Sequence, residues 1–317
     1  MKTTVIGTGR WGTFIGWYLD SINHTVKLYG REDSKHFVQL KNERKNNYLT
    51  LTDSILLTSN KEEIIDSDVL FISVGAQNLR DLLIELKEYF IGQPLVLCMK
   101  GLEIGTGKRL TQIVSEELGD DYPCAVWLGP GHPQEFTNGV PNCMVIDSKR
   151  VELKEMLVNE LSSSLIRFYF GSDLVGNEFG AALKNVIGIA AGMLDGLHLS
   201  SLKGALMARG CKEVSVLIDT MGGDPISAYG LCHLGDYEAT VFSQHSHNRK
   251  FGELFVNNQV FDDLAEGYYT VQAVRTISET HNLDLPISTA LYQVLFENKD
   301  PLETINALFL RSLKQEF

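Results

Sequence analysis

The chain has 317 residues, 44% of them hydrophobic, and a formal net charge of −12. That length allows two domains with separate cores, and the acidic balance excludes nucleic acid or an anionic membrane as the main partner while leaving room for a local basic pocket. No apolar run approaches the ~20 residues that span a bilayer, and MKTTVIGTG lacks a signal peptide's apolar core, so a cytoplasmic protein without stable membrane insertion is expected. The five cysteines are scattered without a CxxC pair, which fits free thiols in a reducing compartment rather than a disulfide frame or a zinc site.

In chain order, residues 3–6 (TTVI) read as a short strand running into Gly7-Thr8-Gly9-Arg10-Trp11-Gly12. A helical run over 13–21 and a strand over 24–29 follow, so G-x-G-x-x-G stands between strand and helix, the context that gives it meaning. Gly7 permits the tight turn, Gly9 lets backbone approach a pyrophosphate, and Gly12 lets helix and strand pack closely. The helix N-terminus then faces the anion with unpaired N–H groups. After the second strand comes Tyr29-Gly30-Arg31-Glu32-Asp33. Arg31 suits the 2′-phosphate of NADP, while Glu32 or Asp33 suits a ribose hydroxyl, so NAD and NADP both stay open.

Further strands are expected at 68–74, 94–98, 124–128, 143–147 and 166–170, with 35–47 polar and 79–90 helical. This alternation predicts a Rossmann-type, doubly wound parallel sheet that binds ligand beyond the carboxyl ends of its strands. Lys100 and the loop Gly129-Pro130-Gly131-His132-Pro133 follow strands and are expected at that edge. Beyond Phe170 the pattern turns helical, at 177–197, 202–221, 263–280, 284–297 and 301–315. The expected division is an NAD(P)-binding domain over 1–172 and an all-α substrate-binding and catalytic domain over 173–317.

Within GNEFGAALKNVIGIAAGMLDGL (176–197) one lysine interrupts an apolar helical pattern. Phe179, Leu183, Val186, Ile187, Ala190, Met193 and Leu194 form the packing face, and Lys184, Gly188, Gly192 and Asp195 lie on another. Each helical glycine costs about 1 kcal/mol, so the repetition needs a reason: close approach of a ligand or of another backbone. The plain alternative for Lys184 is a lysine snorkelling out of a core helix. Two more polar clusters follow, His233-Leu234-Gly235-Asp236 and the donor-rich run 243–250 (SQHSHNRK), which reads as a loop able to envelop a phosphate. His233, His245 and His247 with Asp236 match no closed metal-site spacing, and no Ser-His-Asp or nucleophile-elbow pattern is present. A dinucleotide domain joined to a helical domain with a lone helical lysine suggests hydride transfer, the lysine exchanging the hydroxyl proton once desolvated.

These motifs resemble the NAD(P)-dependent glycerol-3-phosphate dehydrogenase family along almost the whole chain. The resembling stretches are GTGRWGT (7–13), KLYGRED (27–33), MKGLE (99–103), GPGHPQEF (129–136), NEFGAALKNVIGIAAGMLDGL (177–197), KGALMARGCKE (203–213), GLCHLGDYEATVFSQHSHNRKFG (230–252) and AEGYYTVQAV (265–274). The resemblance implies reversible reduction of dihydroxyacetone phosphate to sn-glycerol 3-phosphate, feeding phospholipid synthesis. It also implies a homodimer and a second domain like that of 6-phosphogluconate dehydrogenase. By position, Lys184 resembles the general base, and Lys100 the lysine touching both substrate and cofactor. Gly129, Gly131, Asp236, Ser246, Asn248 and Arg249 fall at or beside substrate positions. Arg10, Trp11, Arg31, Pro133, His247 and Glu266 fall at or beside cofactor positions. Three departures stand out: His247 replaces the arginine of the family's S-R-N, Gly131 replaces a serine, and Met99 replaces Ser or Thr. An arginine-to-histidine change gives up a bidentate, permanently charged phosphate clamp, with Arg249 a candidate substitute. The implied alternative is a dehydrogenase of the same fold acting on another small phosphorylated or carboxylated hydroxy compound.

Overall fold

A computed structural model describes residues 1–312 of the chain. The backbone divides into two units, one of Met1–Lys100 with Arg109–Glu178 and one of Gly101–Lys108 with everything from Phe179 onward. The first unit alternates strands and helices: β1 (Lys2–Ile6), α1 (Arg10–Ser21), β2 (Thr25–Tyr29), α2 (Lys35–Glu43), β3 (Leu56–Thr58), β4 (Val69–Ile72), α3 (Leu79–Leu86) and β5 (Leu95–Leu97). It continues with α4 (Leu110–Leu118), β6 (Cys124–Leu128), α5 (Pro133–Thr137), β7 (Asn142–Asp147), α6 (Val151–Leu161) and β8 (Ile166–Phe170). Burial explains the composition of the strands. β4 and β5 are buried at every residue and read as continuous apolar runs, as strands covered on both faces do.

The eight strands form one sheet in the order β3-β2-β1-β4-β5-β6-β7-β8. The order reverses between β1 and β4, which makes the edge beyond Ile6 and Ile72 the topological switch point where ligands bind in open α/β sheets. The sheet departs from the expected all-parallel arrangement at one place, since β6 and β7 pair antiparallel. Their connection contains only the five-residue α5, which is too short to carry the chain back to the starting end of the sheet. The 11-residue α6 does make that return, and β7 and β8 are parallel. Trp127 of β6 sits at the centre of the core, edge-on to Tyr18, Phe71 and Phe168 at 5.8, 6.1 and 4.9 Å between ring centroids.

The remaining helices are α7 (Leu174–Gly196), α8 (Lys203–Thr220), α9 (His247–Val256), α10 (Glu266–His281), α11 (Pro286–Phe296) and α12 (Pro301–Phe309). The expected helix over 301–315 is thus observed to Phe309, and residues 313–315 lie outside the described residues. From Glu178 to Leu194 every residue of α7 except Ala190 is buried, so this helix has no solvent face along its middle and forms the axis of the helical unit. Val186, Ile189 and Met193 pack with Val271, Leu291 and Val294, while Ile187 and Ala191 pack with Cys211, Tyr237 and Val241.

The glycines of α7 find their reason here. A Cβ on Gly192 would lie 1.8 Å from the Arg249 carbonyl oxygen, and one on Gly252 would lie 2.1 Å from the Ile189 carbonyl oxygen. Two helix backbones therefore touch, and α9, expected as a polar loop, is the backbone that fills the small-residue face. That face is not open space around Lys184. Among the described residues no helix is long and apolar enough to cross a membrane.

Candidate active site

In the sheet unit, the candidate cofactor-binding feature is the turn from β1 into α1. Gly7 has φ +114°, and a Cβ there would meet the Ser73 carbonyl oxygen at 2.1 Å; one on Gly12 would meet the Gly7 carbonyl oxygen at 2.0 Å. Both glycines are required by protein packing. Gly9 is different: a Cβ there would meet nothing within 4 Å, and no side chain caps the helix that Gly9 begins. The open backbone at Gly9 and the amides at the start of α1 fit a dinucleotide pyrophosphate.

Around this turn, Arg10 donates to Gln134 Oε1 at 2.8 Å and lies 3.2 Å from His132 Nδ1, with its guanidinium 5.0 Å from the centroid of the Tyr48 ring. Arg10 thereby ties the head of α1 to the loop after β6. Trp11 packs on Phe14, Trp127 and Phe136, so its ring is part of the aromatic core. Pro133 is the buried first residue of α5. Arg31 is exposed just beyond β2. Lys100 donates to the Gly129 carbonyl oxygen at 2.6 Å. Gly131 has φ +144°, and a Cβ there would fall 2.3 Å from the Phe136 ring, so a serine at this position would have to displace that ring. The departure at Gly131 is therefore built into the packing of α5.

In the helical unit, a separate polar cluster is assembled on α7. Lys184 Nζ lies 3.0 Å from Asp236 Oδ2 and donates to Thr240 Oγ1 at 2.9 Å. The two ion-pair side chains are only 11% and 1% exposed, so the charges compensate each other out of bulk water. Asp236 ends a single 3₁₀ turn, Leu234–Asp236, and Thr240 sits in a π-helical turn, Glu238–Phe242, a geometry that recurs at functional sites. Asp195, on the same face as Lys184 but three turns further along α7, has partners of its own. It accepts from Lys203 Nζ at 2.6 Å and from Arg249 Nη1 at 2.5 Å. Although burial opposes it, the hydrogen bonds from Lys203, Ser200 and Arg249 hold the Asp195 carboxyl below its ordinary pKa. The fork of Arg249 is engaged by this acid and, through Nε, by the Ser243 carbonyl oxygen.

The other expected residues gather at two helix starts. Ser246 caps α9 by accepting from the Arg249 amide, and His247 follows as its first residue, Nδ1 3.3 Å from the Leu264 carbonyl oxygen. Asn248 donates to Asn185 Oδ1 at 3.0 Å and accepts from the Gly267 amide at 2.9 Å, joining α7, α9 and α10. Glu266 is the first residue of α10. His233 faces away from any metal role, since its ring nitrogens meet the Gly180 carbonyl oxygen and Tyr237 Oη. Among the described residues no three His, Cys, Asp or Glu side chains group as a metal site. Sequence reasoning missed Thr240 and Asn185. One signal was available for each: Thr240 stands four residues after Asp236, and Asn185 adjoins the helical lysine.

Two family models cover most of the chain: the N-terminal model of NAD-dependent glycerol-3-phosphate dehydrogenase matches residues 2–154 and the C-terminal model residues 173–306. Glycerol-3-phosphate dehydrogenase [NAD(P)+] of Fusobacterium nucleatum is 35% identical, covering 100% of this chain and 98% of its own length. The enzyme of that name from a Thermoanaerobacter species is 32% identical, with 100% and 99% covered. The crystal structure of glycerol-3-phosphate dehydrogenase from Coxiella burnetii superimposes with a TM-score of 0.90 at 26% identity, over 98% of this chain and 99% of that one. A dinucleotide turn at the switch point, a helical unit with a buried lysine, and matches running through both establish that the chain belongs to the NAD-dependent glycerol-3-phosphate dehydrogenase family.

Proposed function

We propose that the chain interconverts dihydroxyacetone phosphate and sn-glycerol 3-phosphate with NAD or NADP, and that Lys184 is its proton donor and acceptor. The observation that supports the role of Lys184 is its burial against Asp236 and Thr240, a charged group held by two side chains within a helix core. In the reducing direction the ammonium of Lys184 gives its proton to the oxygen formed from the substrate carbonyl, and in the oxidising direction the neutral amine removes the hydroxyl proton. Asp236 compensates the ammonium, and Thr240 Oγ1 fixes the direction in which Nζ presents a proton. NAD or NADP, when held at Gly7–Gly12, would supply or accept the hydride. Lys100, Gly129, Gly131, Ser246, Asn248 and Arg249 are assigned to the small phosphorylated substrate. Gly7, Gly9, Arg10, Trp11, Gly12, Arg31, Pro133, His247 and Glu266 are assigned to the cofactor, His247 standing also where the resemblance places the arginine that holds the substrate phosphate. We assign residues 1–172 to cofactor binding and 173–317 to catalysis, in a cytoplasmic homodimer.

The test is a steady-state assay with dihydroxyacetone phosphate and each reduced cofactor. A kcat/KM above about 10⁴ M⁻¹s⁻¹ supports the assignment, and a value far below it rejects it. A second reading, a related anionic hydroxy compound as substrate, rests on His247 in place of a permanently charged arginine. His247→Arg is expected to lower KM for dihydroxyacetone phosphate by about tenfold with little change in kcat, the value of one charge-assisted hydrogen bond. An unchanged KM would mean that the phosphate is not held at this position.

Arg31 decides between the cofactors. Arg31→Ala should weaken NADPH binding by about tenfold and leave NADH binding unaltered, as read by calorimetric titration. Equal effects on both cofactors would remove Arg31 from contact with a 2′-phosphate.

A further inference from the structure

The ion pair of Lys184 is braced by a chain of neutral hydrogen bonds that no part of the reaction uses. His233 is fully buried, and its Nδ1 lies 2.9 Å from the carbonyl oxygen of Gly180. That carbonyl also receives the backbone amide of Lys184, four residues on along α7. A carbonyl oxygen only accepts, so Nδ1 carries the hydrogen and Nε2 is the acceptor for Tyr237 Oη at 2.7 Å. The Cys211 thiol points its hydrogen at the same oxygen from α8, 3.8 Å away. His233 and Tyr237 flank the turn that holds Asp236, and their rings meet edge to face at 4.9 Å. Both sides of the contact fit closely, since a Cβ on Gly180 would lie 3.1 Å from His233 Cβ.

We propose that His233 is a positioning residue: a tautomer-locked strut that fixes the turn carrying Asp236 against the turn of α7 carrying Lys184, and so sets where the ammonium points. Burial pushes the ring down to about 4, against the opposing influence of the Gly180 hydrogen bond and of Asp236, with Lys184 pushing it lower. Burial likewise raises the Tyr237 hydroxyl and the Cys211 thiol, so every member of the chain stays neutral across the working range and none competes for the proton of Lys184. The inference rests on Lys184 as the proton-transfer group.

The experiment compares His233→Phe, His233→Asn and Tyr237→Phe in the full-length enzyme. Phe keeps the ring and loses both hydrogen bonds, whereas Asn keeps a donor for the Gly180 carbonyl and loses ring volume. A strut ranks Asn above Phe in kcat, and a space-filling role ranks them the other way. His233→Phe is expected to lower kcat on the order of 10- to 100-fold, with NADPH binding unchanged and the pH profile of kcat displaced. A folded Phe variant with wild-type kcat and pH profile overturns the proposal, as does Phe exceeding Asn. Should His233→Phe fail to fold, Tyr237→Phe removes only one hydroxyl, and an unaltered pH profile there overturns the proposal equally. Absence of wild-type turnover would reject the proposed reaction instead. The titration of the Lys184 ammonium, followed by ¹⁵N NMR in wild type and variants, then decides the strut alone: a displaced midpoint supports it and an identical one overturns it.

Discussion

Lys184→Met is expected to lower kcat by about 10³- to 10⁴-fold while NADPH binds as tightly as before, because on the proposed mechanism the substitution removes the proton-transfer group and leaves the glycine turn of the other unit untouched. It also leaves Asp236, 1% exposed, as a buried carboxylate without its cation, which costs about 3–5 kcal/mol in comparable buried pairs. Loss of activity from unfolding must therefore be separated from loss of chemistry. The double variant Lys184→Met with Asp236→Asn removes both charges and should recover most of the stability and none of the turnover. Lys184→Arg keeps the positive charge on a group that does not give up its proton near neutrality, and should be inactive while staying folded. Calorimetric unfolding and single-turnover reduction of dihydroxyacetone phosphate measure the two effects. A folded Lys184→Met enzyme within tenfold of wild type would remove this lysine from the reaction.

Gly192→Ala should destabilise the helical unit by about 3 kcal/mol, lowering its unfolding midpoint by about 6–12 °C. Two effects oppose each other here. Alanine in a helix interior gains about 1 kcal/mol over glycine, but the added methyl would sit 1.8 Å from the Arg249 carbonyl oxygen and 2.9 Å from the Glu253 amide nitrogen. The obstacle is backbone on both sides, so relief requires α9 to move as a body, and overpacking outweighs propensity. Ser246, His247 and Asn248 travel with the start of α9, so activity should fall further than stability alone predicts. Gly204 supplies the contrast. A Cβ there would meet nothing within 4 Å, and Gly204→Ala should be neutral or stabilise by up to about 1 kcal/mol. Equal melting behaviour of the two alanine variants would refute the close contact of α7 with α9.

What could be read from the sequence divides by the range of the force responsible. Gly7 and Gly12 were legible because the demand for glycine is imposed within a few residues, by a positive φ and by the Gly7 carbonyl itself. The glycines of α7 were legible as a close approach but not as an approach by α9. The segment 243–250 is polar, and its helix is set by the Ser246 cap and by Phe251 and Phe255 packing against distant chain. Lys184 and Asp195 share a helix face, but a shared face does not make a pair. Eleven residues of helix span about 16 Å, beyond the reach of a direct ion pair, and the acid that does the work comes from position 236. The antiparallel β7 was hidden for a similar reason, because strand direction depends on what the connection can span rather than on the strand's own residues.

The excursion Gly101–Lys108 leaves the sheet unit and is counted with the helical unit. Gly107 sits where a Cβ would lie 2.5 Å from Ile277, a side chain 170 positions further along the chain. Leu102 is wholly buried in the finished protein. During synthesis this octapeptide emerges early, and its resting place is completed only when α10 has left the ribosome. At about 5–20 residues per second, that leaves roughly 10–30 s in which Leu102 waits uncovered. The stretch is thus a predisposed target for chaperone capture or proteolytic nicking in the nascent chain, and a fragment ending near residue 172 would carry that exposure permanently.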